Sequence, residues 1–162
     1  MKESKEFRVL IPEEEYQIIE FKQENLPGVG VINLSLIDFE PKEVFSWHCS
    51  IMLNFENFIE NGMPTNNDVL IAEKFEDFLS EKIKGDDKEK PNALFLGRIT
   101  WKETRELIWR VYNPKIVNEF LEEIIEKKKH SFQFDYRIEN DEEWKLAEWH
   151  LESVKSITKK KK

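Results

Sequence analysis

Between Val44 and Ile138 the apolar residues switch repeatedly between a two-residue repeat and a three-to-four-residue repeat, and nothing else in the chain restricts its fold as much. In "VFSWHCSIMLNF" Phe45, Trp47, Cys49, Ile51 and Leu53 alternate with Ser46, His48, Ser50, Met52 and Asn54, which predicts a strand. "ENGMPTNND" then reads as a loop, with Asn67 or Asp68 placed to cap a helix over Val69 to Lys84. That helix carries Ala72, Phe75, Phe78, Leu79 and Ile83 on one face. Two strands follow, Ala93 to Trp101 and Thr104 to Tyr112. Asn113-Pro114 opens a second helix with a stripe of Val117, Phe120, Leu121, Ile124 and Ile125, and the cations of "KKKH" suit its last turn. "SFQFDYRI" is the plainest strand, with Phe132, Phe134, Tyr136 and Ile138 inward. Strand, helix, strand, strand, helix, strand is the order of an α+β, ferredoxin-like split β-α-β core. Such a core packs both helices on one sheet face and leaves the other open.

Both ends carry additions. "YQIIEFKQENLPGVGVINLSLID" gives two β-rich runs around "ENLPG", predicting an N-terminal hairpin that turns at the Pro-Gly pair. Asn140 or Asp141 caps a C-terminal helix whose Trp144, Ala147, Leu151 and Val154 form an apolar stripe, with Trp149 flanking. One of these additions is expected to extend a sheet edge or cover part of the open face. Residues 1–158 are read as one domain and 159–162, "KKKK", as a basic flexible tail.

The whole chain of 162 residues can bury roughly 70% of its extended surface, and with 12 Phe and 5 Trp it has the material for one core. Its net charge is −8, of which Lys159 to Lys162 contribute +4, so the remainder stands at −12. An acidic body disfavours direct nucleic-acid binding, which relies on a basic stripe to displace counterions. It is compatible with a basic protein partner, whose association complementary charge accelerates. No run approaches the ~18 apolar residues that cross a bilayer, so no membrane partner is expected. "MKESKEFRVLIPEEEYQ" matches neither a secretory signal nor a transit peptide, and the single cysteine, Cys49, has no internal disulfide partner. The cytoplasm is the expected location.

The stretch "LFLGRITWKETRELIWRVYNP" concentrates the residues with binding chemistry. On its second strand Leu107, Trp109 and Val111 point one way and Glu106, Ile108, Arg110 and Tyr112 the other. On its first strand Arg98 and Thr100 share a side with Leu94 and Leu96. Strict alternation then puts Arg98, Thr100, Arg110, His48 and Tyr112 on the open face as a candidate anion-binding group. Cross-strand pairing with Glu106, Asp135 and Glu139 is the structural alternative. Gly97 admits a close approach of a neighbouring chain, a Trp among the candidates.

Catalytic sets are missing from the pattern. Consecutive strand residues face opposite ways, so His48 cannot serve as the base for Cys49, which falls on the apolar side. His48, His130 and His150 lack paired spacing, and Asp141, Glu142 and Glu143 lack the ligand pattern and glycine of a calcium loop. Gly28 to Gly30, "GVG", precedes a strand and so does not open a phosphate-binding helix. Neither metal nor cofactor is expected, and no catalytic residue is singled out.

Gly97, Arg98 and Thr100, then Trp109 and Tyr112, then Asp141 and Trp144 together resemble the bacterial family called domain of unknown function 695, over approximately Val29 to Leu151. Two features depart from that pattern. The turn "WKET" lacks a glycine, and "ESVKS" continues the helix where a proline would follow. The resemblance implies a fold and leaves activity open. By analogy, small acidic α+β domains are similar to inhibitors of bacterial nucleases. The expectation is therefore a non-enzymatic module that works by protein association, as a regulator or toxin-neutralising partner. The alternative is a small enzyme or anionic-ligand-binding domain that uses the open sheet face.

Overall fold

A computed structural model describes residues 9–160, in six strands, three α-helices and short 3-10 turns. The strands are β1 (Tyr16–Gln23), β2 (Leu26–Asn33), β3 (Trp47–Asn54), β4 (Ala93–Trp101), β5 (Thr104–Val111) and β6 (Phe134–Asn140). The helices are α1 (Asn66–Lys84), α2 (Pro114–Glu126) and α3 (Glu148–Lys160). The strands form one sheet in the order β1-β2-β4-β5-β3-β6, with every neighbouring pair antiparallel. The chain is thus α+β, with the N-terminal hairpin extending the sheet beyond β4.

Local chemistry sets the ends of the elements. Thr65 caps α1 by accepting from the Asp68 amide. Asp68, expected as a capping candidate itself, is instead buried and accepts from the amides of Glu56 and Asn57 and from the Asn57 side chain, so it anchors the preceding loop. Asn113 caps α2, with Pro114 in the first turn where its missing N–H is harmless. Both hairpins turn on two residues with positive φ, Glu24-Asn25 (52° and 64°) and Lys102-Glu103 (46° and 68°). Such turns match the twist of the strands they join. The first therefore turns three residues before the expected Pro27-Gly28 pair, and Pro27 lies inside β2 opposite Lys22.

Alternation along the strands divides the core in two. On one face α1 and α2 cover Cys49, Ile51, Leu53, Phe95, Leu107, Trp109 and Val111, using Ala72, Phe75, Leu79, Ile83, Val117, Leu121 and Ile124. Phe132 is fully buried there, while Phe134, Tyr136 and Ile138 on the edge strand β6 are only half-buried. On the opposite face lie Ile19, Ile32, Leu94, Leu96 and Ile108.

That second face is not open. It is covered by Leu36, Phe39 and Phe45 from the connection between β2 and β3, and by Trp144, Ala147, Leu151 and Val154 at the C-terminus. Phe45 falls in a 3-10 turn and belongs to this layer, so the alternation from Phe45 onward becomes a strand only at Trp47. Both additions are therefore used, the hairpin along the edge and the helix over the face. The helix α3 runs on into residues read as a flexible tail, reaching Lys160, while Lys161 and Lys162 lie outside the described residues.

Candidate functional site

Of the five residues expected to share one face, four are divided between two faces and the fifth, Tyr112, lies beyond the strand. Arg110 and His48 lie on the face covered by the C-terminal segment, and both are buried. The Arg110 guanidinium meets the Asp141 carboxylate at 2.9 Å, donates to the Phe45 carbonyl at 3.3 Å and approaches His48 Nδ1 at 3.0 Å. It also donates to the Asp141 carbonyl and lies 4.7 Å from the Trp144 ring centroid. Asp141 in turn accepts from the amides of Lys145 and Leu146. Trp144 takes the left-handed conformation (φ 60°), and its indole N–H donates to the carbonyls of Lys42 and Phe45. Every part of this group is engaged within the protein, so it works as a clasp that fixes the C-terminal segment to the sheet. Burial, then the Arg110 cation, push the His48 imidazole down to about 3, so it stays neutral at ordinary pH. Tyr112 stands apart from both faces, exposed just beyond β5.

Arg98 and Thr100 lie on the α1 side because β4 is irregular. Its register with β5 shifts between Phe95 and Gly97, leaving Leu96 as the extra residue. One inserted residue reverses the parity of everything beyond it. Leu94 and Leu96 stay on the α3 side, while Arg98 pairs with Leu107 and Thr100 with Arg105 on the α1 side. The Asn33 side chain donates to the Phe95 carbonyl beside the bulge. Gly97 does permit a close approach, by the β2 backbone: a β-carbon there would stand 2.6 Å from the Val31 carbonyl oxygen.

The displaced residues line a cleft of about 360 Å³ between the hairpin and α1. Val29 and Val31 form one wall, Val69 and Glu73 the other, Met63 and Pro64 one end, and Arg98, Thr100 and Arg105 complete it. Arg98 is occupied, in a two-pronged pair with Glu76 at 2.7 and 2.6 Å. Burial works against its charge but is outweighed by Glu76, so its pKa is raised.

Arg105 is held differently. It is 9% exposed, its Nε donates to Thr100 Oγ1 at 2.9 Å, and its guanidinium lies 5.7 Å from the Phe55 ring centroid. Among the described residues it forms no ion pair, and burial followed by the Arg98 cation lowers its pKa. It remains a cation, as guanidinium does in proteins. Arg105 was absent from the residues the sequence pointed to, although a signal existed: it shares parity with Leu107, Trp109 and Val111, so it is the one cation on that strand's apolar side.

Other chemistries find less support. The Cys49 thiol is buried, and burial pushes it up to about 12, far from a reactive thiolate. Among the described residues no three His, Cys, Asp or Glu side chains gather as a metal site requires. No helix among the described residues is long and apolar enough to cross a membrane.

No curated protein and no solved structure matches the chain. The model of a family of unknown function (DUF695) does match, from within β1 and so taking in the hairpin as well as the clasp; it spans residues 17–149, most of the sequence, and the chain belongs to that family.

Proposed function

We propose that this domain is a non-enzymatic binding module, and that a segment of a partner protein enters the cleft between the hairpin and α1. The observation that carries this reading is the make-up of the cleft, where apolar walls from Val29, Val31, Met63, Pro64 and Val69 surround a buried arginine with no ion-pair partner among the described residues. Binding sites combine an apolar lining with a few fixed polar groups in this way. Ile18, Ile59 and Leu70 extend the apolar character outside it: Ile18 pairs with the wall residue Val31, Ile59 bonds to Met63, Leu70 follows Val69, and all three are exposed. The acidic remainder of the surface would guide a basic partner toward the domain. Nothing along the cleft pairs a nucleophile with a base, which favours binding over catalysis. For the fold, we read β3-α1-β4-β5-α2-β6 as a ferredoxin-like split β-α-β core, a reading supported by the order β4-β5-β3-β6 and by both helices packing on one face.

A synthetic random-octapeptide library passed over the immobilised protein tests the module. Defined sequences should be retained by the wild type and released by Val69→Trp, which fills the cleft. Retention that is unchanged in Val69→Trp, or no enrichment at all, would refute the reading.

A further inference from the structure

Resting on that reading, we infer that the cleft recognises the free C-terminal carboxylate of a partner chain whose last residue is apolar, with Arg105 as the anchoring cation and Thr100 holding it in place. The argument begins with what Arg105 lacks. A guanidinium offers five N–H donors, and only Nε is engaged by an oxygen, that of Thr100. Burying a cation without an anion is costly unless something else supplies one. Arg98, on the same cleft, has its carboxylate already in Glu76. Arg105, with the Phe55 ring beneath it and Thr100 fixing its orientation, leaves its two terminal nitrogens for an incoming group. The planar fork matches a carboxylate in geometry as well as charge.

Charge decides the kind of anion. Arg98 and Arg105 are opposed by Glu73 and Glu76, so the surroundings are close to neutral before anything enters. Glu73 and Glu76 repel any incoming anion, and they repel a dianionic phosphate about twice as strongly as a single carboxylate, so the smaller charge is the better match for Arg105. The walls decide what the carboxylate is attached to. Val29, Val31, Val69 and Met63 offer an aliphatic side chain apolar surface beside the cation, and a cleft open to solvent lets the rest of a chain leave over Ile18 or Leu70. An internal acidic side chain would bring two flanking backbone segments into a space of about 360 Å³. A chain end brings one.

The test uses the full chain and two synthetic peptide libraries, random upstream and apolar at the last position, identical except that one ends in a free carboxylate and the other in an amide. The wild type should retain the free-acid library at least about tenfold more than the amide, the scale of losing a charge-assisted hydrogen bond. In Arg105→Met the ratio should fall to about one. Equal retention of both libraries by the wild type overturns the inference, while loss of both in Val69→Trp would leave the binding module itself standing. Should Arg105→Met not fold, the Arg105 Nε resonance of the wild type should shift with isovalerate and stay in place with isovaleramide. The same response to both, or to neither, also overturns it. Isovalerate bound as tightly as the enriched peptides would overturn the chain end as the source and identify a small free acid. Inorganic phosphate bound more tightly than any carboxylate at matched ionic strength would overturn the choice of anion.

Discussion

Replacing Asp141 by Ala isolates the clasp that holds the C-terminal segment against the sheet. Arg110 is 0% exposed, and the Asp141 carboxylate, at 2.9 Å, is its anionic partner. Breaking a buried pair by removing one member leaves an uncompensated charge and costs about 3–5 kcal/mol. The same carboxylate caps the amides of Lys145 and Leu146, and losing a cap adds about 1 kcal/mol. The sum, about 4–6 kcal/mol, is a large part of a typical folding stability of ~5–15 kcal/mol. Urea denaturation followed by far-ultraviolet circular dichroism should therefore show a large fall in midpoint for Asp141→Ala. Arg110→Met, which replaces the cation with an apolar chain of similar length, should rescue part of it, so that the double variant is more stable than the two single losses would predict if they were additive. Strict additivity, or a cost for Asp141→Ala below about 1 kcal/mol, would refute the clasp. The pH dependence gives a second check. Burial raises the Asp141 pKa, but the bonds from the Leu146 amide and from Arg110 outweigh it, and the net shift is downward. A depressed pKa contributes stability that is present above the unfolded value near 4 and is lost as pH falls through the folded value. Wild-type stability should therefore drop in acid below about pH 4, and Asp141→Asn should flatten that part of the profile.

Gly97→Ala should destabilise by about 1–3 kcal/mol, since its methyl would stand 2.6 Å from the Val31 carbonyl oxygen in the joint between β2 and β4; unchanged thermal stability would contradict that register. Phe132→Ala should cost about 3–5 kcal/mol, and Phe134→Ala distinctly less, because the first is 2% exposed and the second half-buried on the edge strand. Equal losses in denaturant titration would mean that the burial of β6 is misplaced. Deleting the chain from Asp141 should expose Leu94, Leu96 and Ile108 and make the protein associate in size-exclusion chromatography; a soluble monomer of unchanged stability would show that the C-terminal segment is not part of the core.

Element types and their order were legible in the sequence because they rest on local chemistry. Alternation along "SIMLN" or "TRELIWRV", the helical spacing of Ala72, Phe75 and Leu79, and Asn113-Pro114 at a helix start each act over a few residues. Trp144, Ala147, Leu151 and Val154 are buried as expected, but the helix expected to start at Asn140 or Asp141 begins only at Glu148: Asn140 ends β6, Trp144 is left-handed and Ala147 lies in a 3-10 turn. The candidate site was not legible. Its parity depends on one inserted residue at Leu96, and whether a strand bulges is settled by the neighbours it must pair with, β2 and β5. Without that shift Arg98 would share a face with Arg110; with it the two lie on opposite faces, one bordering a cleft and the other locked by Asp141. Coverage of the second face was equally a tertiary decision. A helix's apolar stripe says that something must be covered and cannot say what, since covering any apolar face lowers the free energy by a similar amount per unit area. Arg105 shows both sides of this: its parity placed a cation among apolar neighbours, and only the packing of α1, β2 and β5 around it left that cation without a carboxylate.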